Sequence, residues 1–257
     1  MFSRIKKKIK KFLSYFLFNY FFKELKPLKQ SESLSYIKEF DNIFVIGGGF
    51  DIDQFVVHSP KALLYIFEPN PINHKLLKTK LKKQGVNFKI FNIAMGNENT
   101  KSQITLNGLG SSLNSFDEKW VHIKNDDLKK VNVDVKRLED FINEKKFTFK
   151  NNKSYLLAID TEGYELNILK GAGKYLSKFN FIICESRIIP SYKQSYSFDQ
   201  LIELLNANNF YIGLIAEVGN IFAKRYNSTK KERRFIRYLD VIFYNKEKNQ
   251  SFFDELI

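Results

Sequence analysis

Three acidic residues, Glu68, Asp160 and Glu185, each follow or end an apolar segment that has the length of a buried strand. Where strands alternate with helices, the sheet is mostly parallel and ligands bind at the carboxyl ends of its strands. A single acid after a strand is usually a helix cap or a solvated turn residue. Three acids at one edge of a sheet, beside a glycine turn, favour a binding or catalytic site.

The glycine turn consists of Gly47, Gly48 and Gly49, and Glu68 lies 21 residues after Gly47. The order is strand, glycine turn, short helix, strand and acid. This order is typical of nucleotide-like ligands, because bare backbone approaches the ligand and the second strand's carboxylate accepts from ribose hydroxyls. The alternative is that the three glycines only form a tight turn.

Periodicity predicts the elements that position these residues. Predicted strands span residues 43–46, 63–67, 86–94, 101–106, 131–135, 155–160, 179–184, 210–215 and 239–244, the last two as an antiparallel pair. Predicted helices span 71–84, 137–144, 161–173 and 198–208. Asn70 can cap the first of these helices, Pro71 suits its first position, and Gly85 suits its end. The sequence therefore predicts one α/β domain over residues 41–257, preceded by an extension over residues 1–40.

Composition limits the partners and the compartment. The net charge of +14 is concentrated in residues 1–30, which hold nine Lys or Arg against one Glu, so the remaining chain is only +6. This remainder lacks a dense basic stripe with interleaved aromatic residues, so we predict no nucleic-acid partner. The single cysteine, Cys184, excludes a disulfide framework and fits a reducing, cytoplasmic compartment.

Residues 1–25 have the pattern of a basic amphipathic helix, with apolar residues at three- and four-residue spacing and lysines off that stripe. The apolar part, residues 12–22, is too short to cross a bilayer, which needs about 20 residues. No small-residue cleavage site follows it. Two interpretations stay open: the helix lies on an anionic membrane surface, peripheral on its cytoplasmic face, or it packs on its own domain or a second copy.

Seven short segments extend these patterns. They are VIGGG (45–49), FEPNP (67–71), NIAMG (92–96), GSSL (110–113), VKRLEDF (135–141), IDTEGYE (159–165) and LKGA (169–172). In this order they resemble the FkbM-type S-adenosylmethionine-dependent methyltransferases, over about residues 42–244. The segments FEPNP and IDTEGYE are the specific part of the resemblance, whereas the glycine turn is not specific.

The resemblance implies the class I methyltransferase (Rossmann-like) fold, a seven-stranded mostly parallel sheet with helices on both faces and an antiparallel last strand. It also implies S-adenosyl-L-methionine as cofactor, with its methionine part against the glycine turn, its ribose on Glu68 and its adenine near Asn92 and Ala94. The serines of the GSSL segment resemble a loop over the cofactor. The candidate cofactor-binding residues are Gly47, Gly48, Gly49, Asp51, Glu68, Asn92, Ala94, Ser111, Ser112 and Asp160.

Two residues depart from the family's pattern. Similar enzymes carry an acid at the position of Val45 and a third glycine at the position of Asp51. The first change removes a partner for the cofactor's ammonium group, and the second adds a side chain where backbone should approach the ligand. Asp51 or Asp53 can supply the lost carboxylate from a nearby position. Otherwise the chain no longer binds the cofactor.

For methyl transfer, an enzyme must align the acceptor oxygen, methyl carbon and sulfur, and remove the hydroxyl proton. Asp160 is our first candidate base, followed by Glu162 and Glu185. Acids near a helix start, such as Asp160, also stabilise its dipole without doing any chemistry. His122 is the histidine that we consider as an alternative base. No cluster has metal-ligand spacing, so we predict no metal, although the three acids can in principle hold a hard divalent ion.

The resulting hypothesis is an O-methyltransferase that acts on a hydroxyl of a saccharide or sugar-linked intermediate in surface glycan biosynthesis. The alternative is a methyltransferase-like protein without cofactor binding, which acts as a scaffold partner of a glycan-modifying enzyme. Cofactor binding separates the two. A nicotinamide-dependent oxidoreductase is disfavoured, because the third glycine of its fingerprint would fall at Ile52.

Overall fold

The computed structural model describes residues 34–47, 52–106, 111–115, 128–188, 192–193, 195–222 and 234–250. Its strands are β1 Asn42–Ile46, β2 Leu63–Phe67, β3 Phe88–Phe91, β4 Ala94–Gly96, β5 Thr100–Thr105, β6 Lys130–Arg137, β7 Tyr155–Ile159, β8 Phe181–Arg187, β9 Phe210–Phe222 and β10 Arg234–Asn245. Its helices are α1 Asp53–His58, α2 Pro71–Lys83, α3 Leu138–Glu144, α4 Glu165–Gly171 and α5 Phe198–Asn206, with a 3-10 helix at Gly173–Lys178. The predicted helix within residues 1–25 lies outside the described residues.

Seven strands form the main sheet in the order β3-β2-β1-β7-β8-β10-β9. The strand pairs from β3 to β8 are parallel, whereas β10 is antiparallel to both of its neighbours. The last strand in sequence is therefore inserted antiparallel between two others. This confirms the predicted class I methyltransferase fold.

A second, three-stranded sheet has the order β4-β6-β5. The sequence predicted one strand over residues 86–94, which is wrong, because the chain divides there into β3 of the main sheet and β4 of the small sheet. Asn92 lies at the break, and its side-chain amide donates to the carbonyl oxygens of Glu68 and Pro69 at 2.9 Å. This contact fixes the break beside the end of β2.

Both faces of the main sheet are covered by apolar side chains, as expected for a parallel sheet between helices. Along β1, Phe44 and Ile46 belong to the larger buried cluster, whereas Ile43 and Val45 belong to a second cluster on the opposite face. The period of two therefore sorts each strand's side chains between the two cores. The same alternation decides on which face of the sheet a polar side chain lies at the end of a strand.

The chain before β1 is part of the packed unit. Leu34, Ile37 and Phe40 are buried in the second cluster. The imidazole of His58 in α1 lies 2.9 Å from the carbonyl oxygen of Ile37. The segment predicted as a polar linker up to residue 40 thus contributes three apolar side chains to the core.

Local signals placed helix α2 correctly. The Asn70 side chain accepts from the backbone N–H of Ile72 at 3.0 Å, Pro71 is the first helical residue, and Gly85 has a φ of +68°.

Among the residues that the structure describes, no helix is long and apolar enough to cross a membrane.

Candidate active site

A cleft opens at the carboxyl ends of β1, β2 and β7. It is lined by Ile46, Gly47, Phe67, Glu68, Pro69, Asn73, Ala94, Met95, Ile104, Ser111, Ser112, Leu113, Asp160, Thr161 and Tyr164. Most of the sequence-predicted site residues that the structure describes therefore lie together on its walls. Gly48, Gly49, Asp51 and His122 lie outside the described residues.

Gly47 forms the floor of the cleft where β1 ends. Its φ is +75°, a conformation that favours glycine, and a Cβ at this position would collide with the carbonyl oxygen of Asp160 and the side chain of Thr161. The backbone of Gly47 is therefore bare because no side chain fits. A ligand can approach it directly, which is the property that the glycine turn predicted.

Glu68 follows β2 and is almost fully buried in the wall of the cleft. One carboxylate oxygen accepts from the backbone N–H of Asn70 at 2.8 Å. Burial raises the pKa of Glu68 to about 7, and the hydrogen bond from Asn70 opposes that rise. A ligand that donates hydroxyl groups would favour the ionised carboxylate, so Glu68 suits a ribose diol.

Of the two residues predicted near an adenine, Ala94 lines the cleft, and its neighbour Met95 does too. Asn92 does not line it, since its amide is engaged with the carbonyl oxygens of the turn after β2. The structure thus gives Asn92 a supporting position, and an adenine ring would meet the apolar surface of β4 instead.

The serines of the GSSL segment reach the cleft from the loop after β5. The hydroxyl of Ser112 donates to the carbonyl oxygen of Glu162 at 2.9 Å. The side-chain amide of Asn114, which the sequence analysis did not identify, donates to the carbonyl oxygen of Gly163 at 2.8 Å. This loop therefore grips the turn that follows β7.

That turn, residues 161–164, was predicted to be helical, but α4 begins only at Glu165. The buried carboxylate of Glu165 explains the difference. One of its oxygens accepts from the backbone N–H groups of Thr161 and Gly163 at 3.1 and 3.0 Å, and the other accepts from the hydroxyl of Tyr196 at 2.9 Å. Glu165 thus organises the turn, and it needs no catalytic role to account for its presence.

Asp160, Glu162 and Glu185 converge, and each offers a carboxylate oxygen within 4.8 Å of the others. The strand β8 extends past Cys184, so Glu185 lies within it rather than after it. Burial, together with the negative charges of Glu162 and Glu165, raises the pKa of Asp160. The carboxyl group of Asp160 is exposed to solvent in the open cleft, and the neighbouring acids act on it there. Such a carboxyl group can accept a proton near neutral pH.

Arg187, the last residue of β8, compensates part of this negative charge. Its guanidinium pairs with Glu162 and lies 2.6 Å from a carboxylate oxygen of Glu185. Burial also raises the pKa of Glu185, and the Arg187 guanidinium opposes the rise. Three carboxylates have the hard oxygen ligands that a divalent cation prefers, and the Arg187 guanidinium pairs with two of them.

The sequence analysis missed Arg187 because the predicted strand stopped at Cys184. A strand continued by three residues would have placed Glu185 and Arg187 on one face. Tyr192 and Tyr196, whose hydroxyls donate to Glu162 and Glu165, lie in an irregular segment without a sequence pattern.

The acid expected in β1 is absent. Val45 is buried in the second core cluster between β2 and β7, so the site has no carboxylate at this position. Asp53 does not replace it, because its carboxylate accepts from Lys80 at 2.7 Å and from Gln84 at 3.0 Å on the surface of the molecule. Asp160, at the end of the neighbouring strand, lines the cleft beside Gly47.

Comparison with known proteins gives one family. Residues 46–212 match the family model described as the methyltransferase FkbM domain, which is more than half of the chain. No curated protein sequence matches the chain.

Solved structures that match the chain include an FkbM methyltransferase from Methylobacillus flagellatus KT, with 14% identity, a TM-score of 0.46 and 81% of this chain covered. This chain spans 44% of the length of that protein. A precorrin-6y C5,15-methyltransferase from Geobacter metallireducens GS-15 has 10% identity, a TM-score of 0.40 and coverage of 84% and 87% of the two chains. A SAM-dependent methyltransferase from Methanosarcina mazei has 10% identity, a TM-score of 0.39 and coverage of 82% and 95%.

Proposed function

Because the chain belongs to the FkbM methyltransferase domain family, we propose that it is an S-adenosylmethionine-dependent O-methyltransferase whose acceptor is a saccharide or a sugar-linked intermediate of surface glycan biosynthesis. One observation carries the proposal. A cleft with a bare glycine floor and a buried ribose-type acid ends against a cluster of three carboxylates. Methyl transfer to a hydroxyl group requires a site for the cofactor and a base beside the acceptor, and the cleft and the carboxylate cluster would supply them.

The groups that line the cleft suit the chemistry of the cofactor. Gly47 offers backbone where a Cβ would collide, Glu68 offers a buried carboxylate for the ribose, and Ala94 with Met95 offers an apolar wall for the adenine. The bound cofactor would supply an electrophilic methyl group on a sulfonium.

The protein's own contribution is alignment and removal of a proton. Gly47 and Glu68 fix the cofactor, and Asp160 is placed at the same sheet edge to accept the hydroxyl proton as the acceptor oxygen attacks. The carboxylates of Glu162 and Glu185 lie beside this point, and the hydroxyl of Tyr192 donates to Glu162. Each carboxylate can accept several hydrogen bonds, so the surroundings suit an acceptor with many hydroxyl groups.

The chemistry can be tested with labelled S-adenosylmethionine and a panel of sugars and sugar-linked intermediates. We expect methyl transfer by the full chain, and a loss of about 100-fold or more in Asp160→Asn, since a positioned base contributes about 10² to 10⁴. Asp134→Asn is the matched control, because Asp134 is exposed on β6. Equal rates for both variants would remove Asp160 from the mechanism.

One observation favours the second candidate, a scaffold protein that does not bind the cofactor. Val45 leaves the end of β1 without the carboxylate that the family usually places there. A chain that fails to bind S-adenosylhomocysteine while folded would support this alternative. The basic segment 1–25 would then serve to reach a partner enzyme or the cytoplasmic face of a membrane.

A further inference from the structure

Arg187 is the cation that joins two of the three clustered carboxylates. Its side chain is only 4% exposed, and the alternation along β8 places it on the same face as Glu185. Burying a guanidinium costs several kcal/mol unless it is well paired. The pairs with Glu162 and Glu185 supply part of that compensation at the edge of the proposed active site, while within the described part of the chain the Nε of Arg187 and the Oε1 of Glu185 have no hydrogen-bond partner.

Two aromatic rings hold the guanidinium in place. The ring centroids of Tyr192 and Tyr238 lie 5.0 and 5.9 Å from the central carbon of Arg187. Tyr238 faces Arg187 across the pairing of β8 with β10, and Tyr192 also donates its hydroxyl to Glu162 at 2.8 Å. A planar guanidinium fits between such rings and forms paired contacts, whereas a lysine ammonium would not reproduce both.

Arg187 acts on the turn that follows β7 through the side chain of Glu162. This residue has a φ of +57°, which a residue other than glycine adopts only when its surroundings impose it. Ser112 holds the backbone of Glu162, and Arg187 with Tyr192 holds its side chain. Asp160 is only two residues earlier in the same turn, so a change at Glu162 would move it.

We propose that Arg187 is a positioning residue of this site, which fixes the turn at residues 160–163 through Glu162 and balances the charge of Glu162 and Glu185, so that Asp160 faces the acceptor. The part of the inference that concerns the acceptor rests on the proposed function. The part that concerns the position of the turn and the charge of Glu162 and Glu185 does not rest on the proposed function.

Asp160 interacts with charged groups from three neighbouring elements. The groups are Glu162 and Glu165 beside β7, Glu185 and Arg187 on β8, and Asp240 on β10. The guanidinium lowers the pKa of both Asp160 and Glu185 and thus opposes the effect of the acids. Its removal should raise both pKa values further.

The first test measures thermal unfolding of the full chain between pH 6 and 9. A carboxyl group whose pKa is raised by folding makes the protein less stable as the pH rises above its unfolded value. We expect Arg187→Met to melt lower than wild type by an amount that grows with pH, and Arg187→Lys to show a smaller effect. Glu162→Gln should flatten the pH dependence of the wild type, and this variant decides the matter if Arg187→Met does not fold.

A difference between Arg187→Met and wild type that is the same at every pH, or a Glu162→Gln profile that is unchanged from wild type, would overturn the inference. The second test uses the acidic limb of the methyl-transfer rate. It should move to higher pH in Arg187→Met and to lower pH in Glu162→Gln, with the affinity for S-adenosylhomocysteine unchanged. A wild-type protein without methyl transfer would contradict the proposed function, whereas the unfolding series would still decide the role of Arg187.

Discussion

Two buried glutamates, Glu68 and Glu165, have different roles because their hydrogen-bond contacts differ. Glu68 has one hydrogen bond from the backbone and lines the cleft, so its carboxylate is available to a ligand. Glu165 accepts from the backbone on one oxygen and from a tyrosine on the other, so its carboxylate is committed to the fold. The contacts, rather than the burial alone, distinguish a candidate binding residue from a structural one.

The affinity for S-adenosylhomocysteine should depend on pH through Glu68. Burial raises its pKa to about 7, and the ribose hydroxyls favour the ionised form, so binding must release the proton below that pH. We expect affinity to fall by up to about tenfold per pH unit below about 7, since one proton is linked. Calorimetry at several pH values would show this slope, and Glu68→Gln should remove it. The same slope in both proteins would assign the effect to another group.

Replacing Glu165 should destabilise the protein strongly. Glu165→Ala leaves the N–H groups of Thr161 and Gly163 and the hydroxyl of Tyr196 without their acceptor, and each buried donor left unsatisfied costs about 1 to 3 kcal/mol. Urea unfolding measures this, with Glu203→Ala on the exposed face of α5 as control. A cost below about 1 kcal/mol would show that the turn is held by other contacts.

At the scale of elements, Gly171 at the end of α4 packs directly against β4 of the small sheet. A Cβ on Gly171 would collide with the backbone carbonyl of Gly96 in β4, whereas a Cβ on Gly85 meets nothing within 4 Å. Gly85 has a positive φ, so Gly85→Ala should cost about 1 to 2 kcal/mol from backbone strain alone. Gly171→Ala should cost more, because backbone must move. Equal costs in denaturant unfolding would mean that α4 shifts freely.

The elements themselves were largely predictable from sequence, because apolar periodicity, Asn70, Pro71 and Gly85 act locally. The predictions failed where distant contacts decide. The break between β3 and β4 depends on carbonyl oxygens of the turn after β2, and the late start of α4 depends on Glu165 and its partners. The candidate site was likewise predictable where local patterns decide and not where distant contacts decide.

At the site, acids at strand ends were found from sequence because parallel strands bring their carboxyl ends to one edge. Arg187 and the tyrosines that surround it were not found, because their proximity to the acids depends on the pairing of β8 with β10 and on an irregular segment. Sequence patterns therefore located the cluster but not its counter-charge.

At the scale of the whole molecule, residues 1–25 remain a prediction. If the basic segment binds an anionic membrane, replacing Lys6, Lys7, Lys10 and Lys11 by Gln should weaken binding to phosphatidylserine vesicles, since each lysine near the surface contributes about 1 kcal/mol. Co-sedimentation of the full-length variant and wild type measures this, with neutral vesicles as control. Equal recovery of both proteins would favour a segment that packs on protein instead.

The central claim is that this cleft binds S-adenosylmethionine although β1 ends without an acid. Calorimetric titration of S-adenosylhomocysteine into the full chain tests it most directly, with Glu68→Ala and the surface variant Glu203→Ala alongside. We predict saturable one-to-one binding by wild type and Glu203→Ala, and a loss of about tenfold or more in Glu68→Ala, as expected for charged hydrogen bonds of about 1.5 to 3 kcal/mol. No binding by a folded wild-type protein, or equal binding by Glu68→Ala, would contradict the claim.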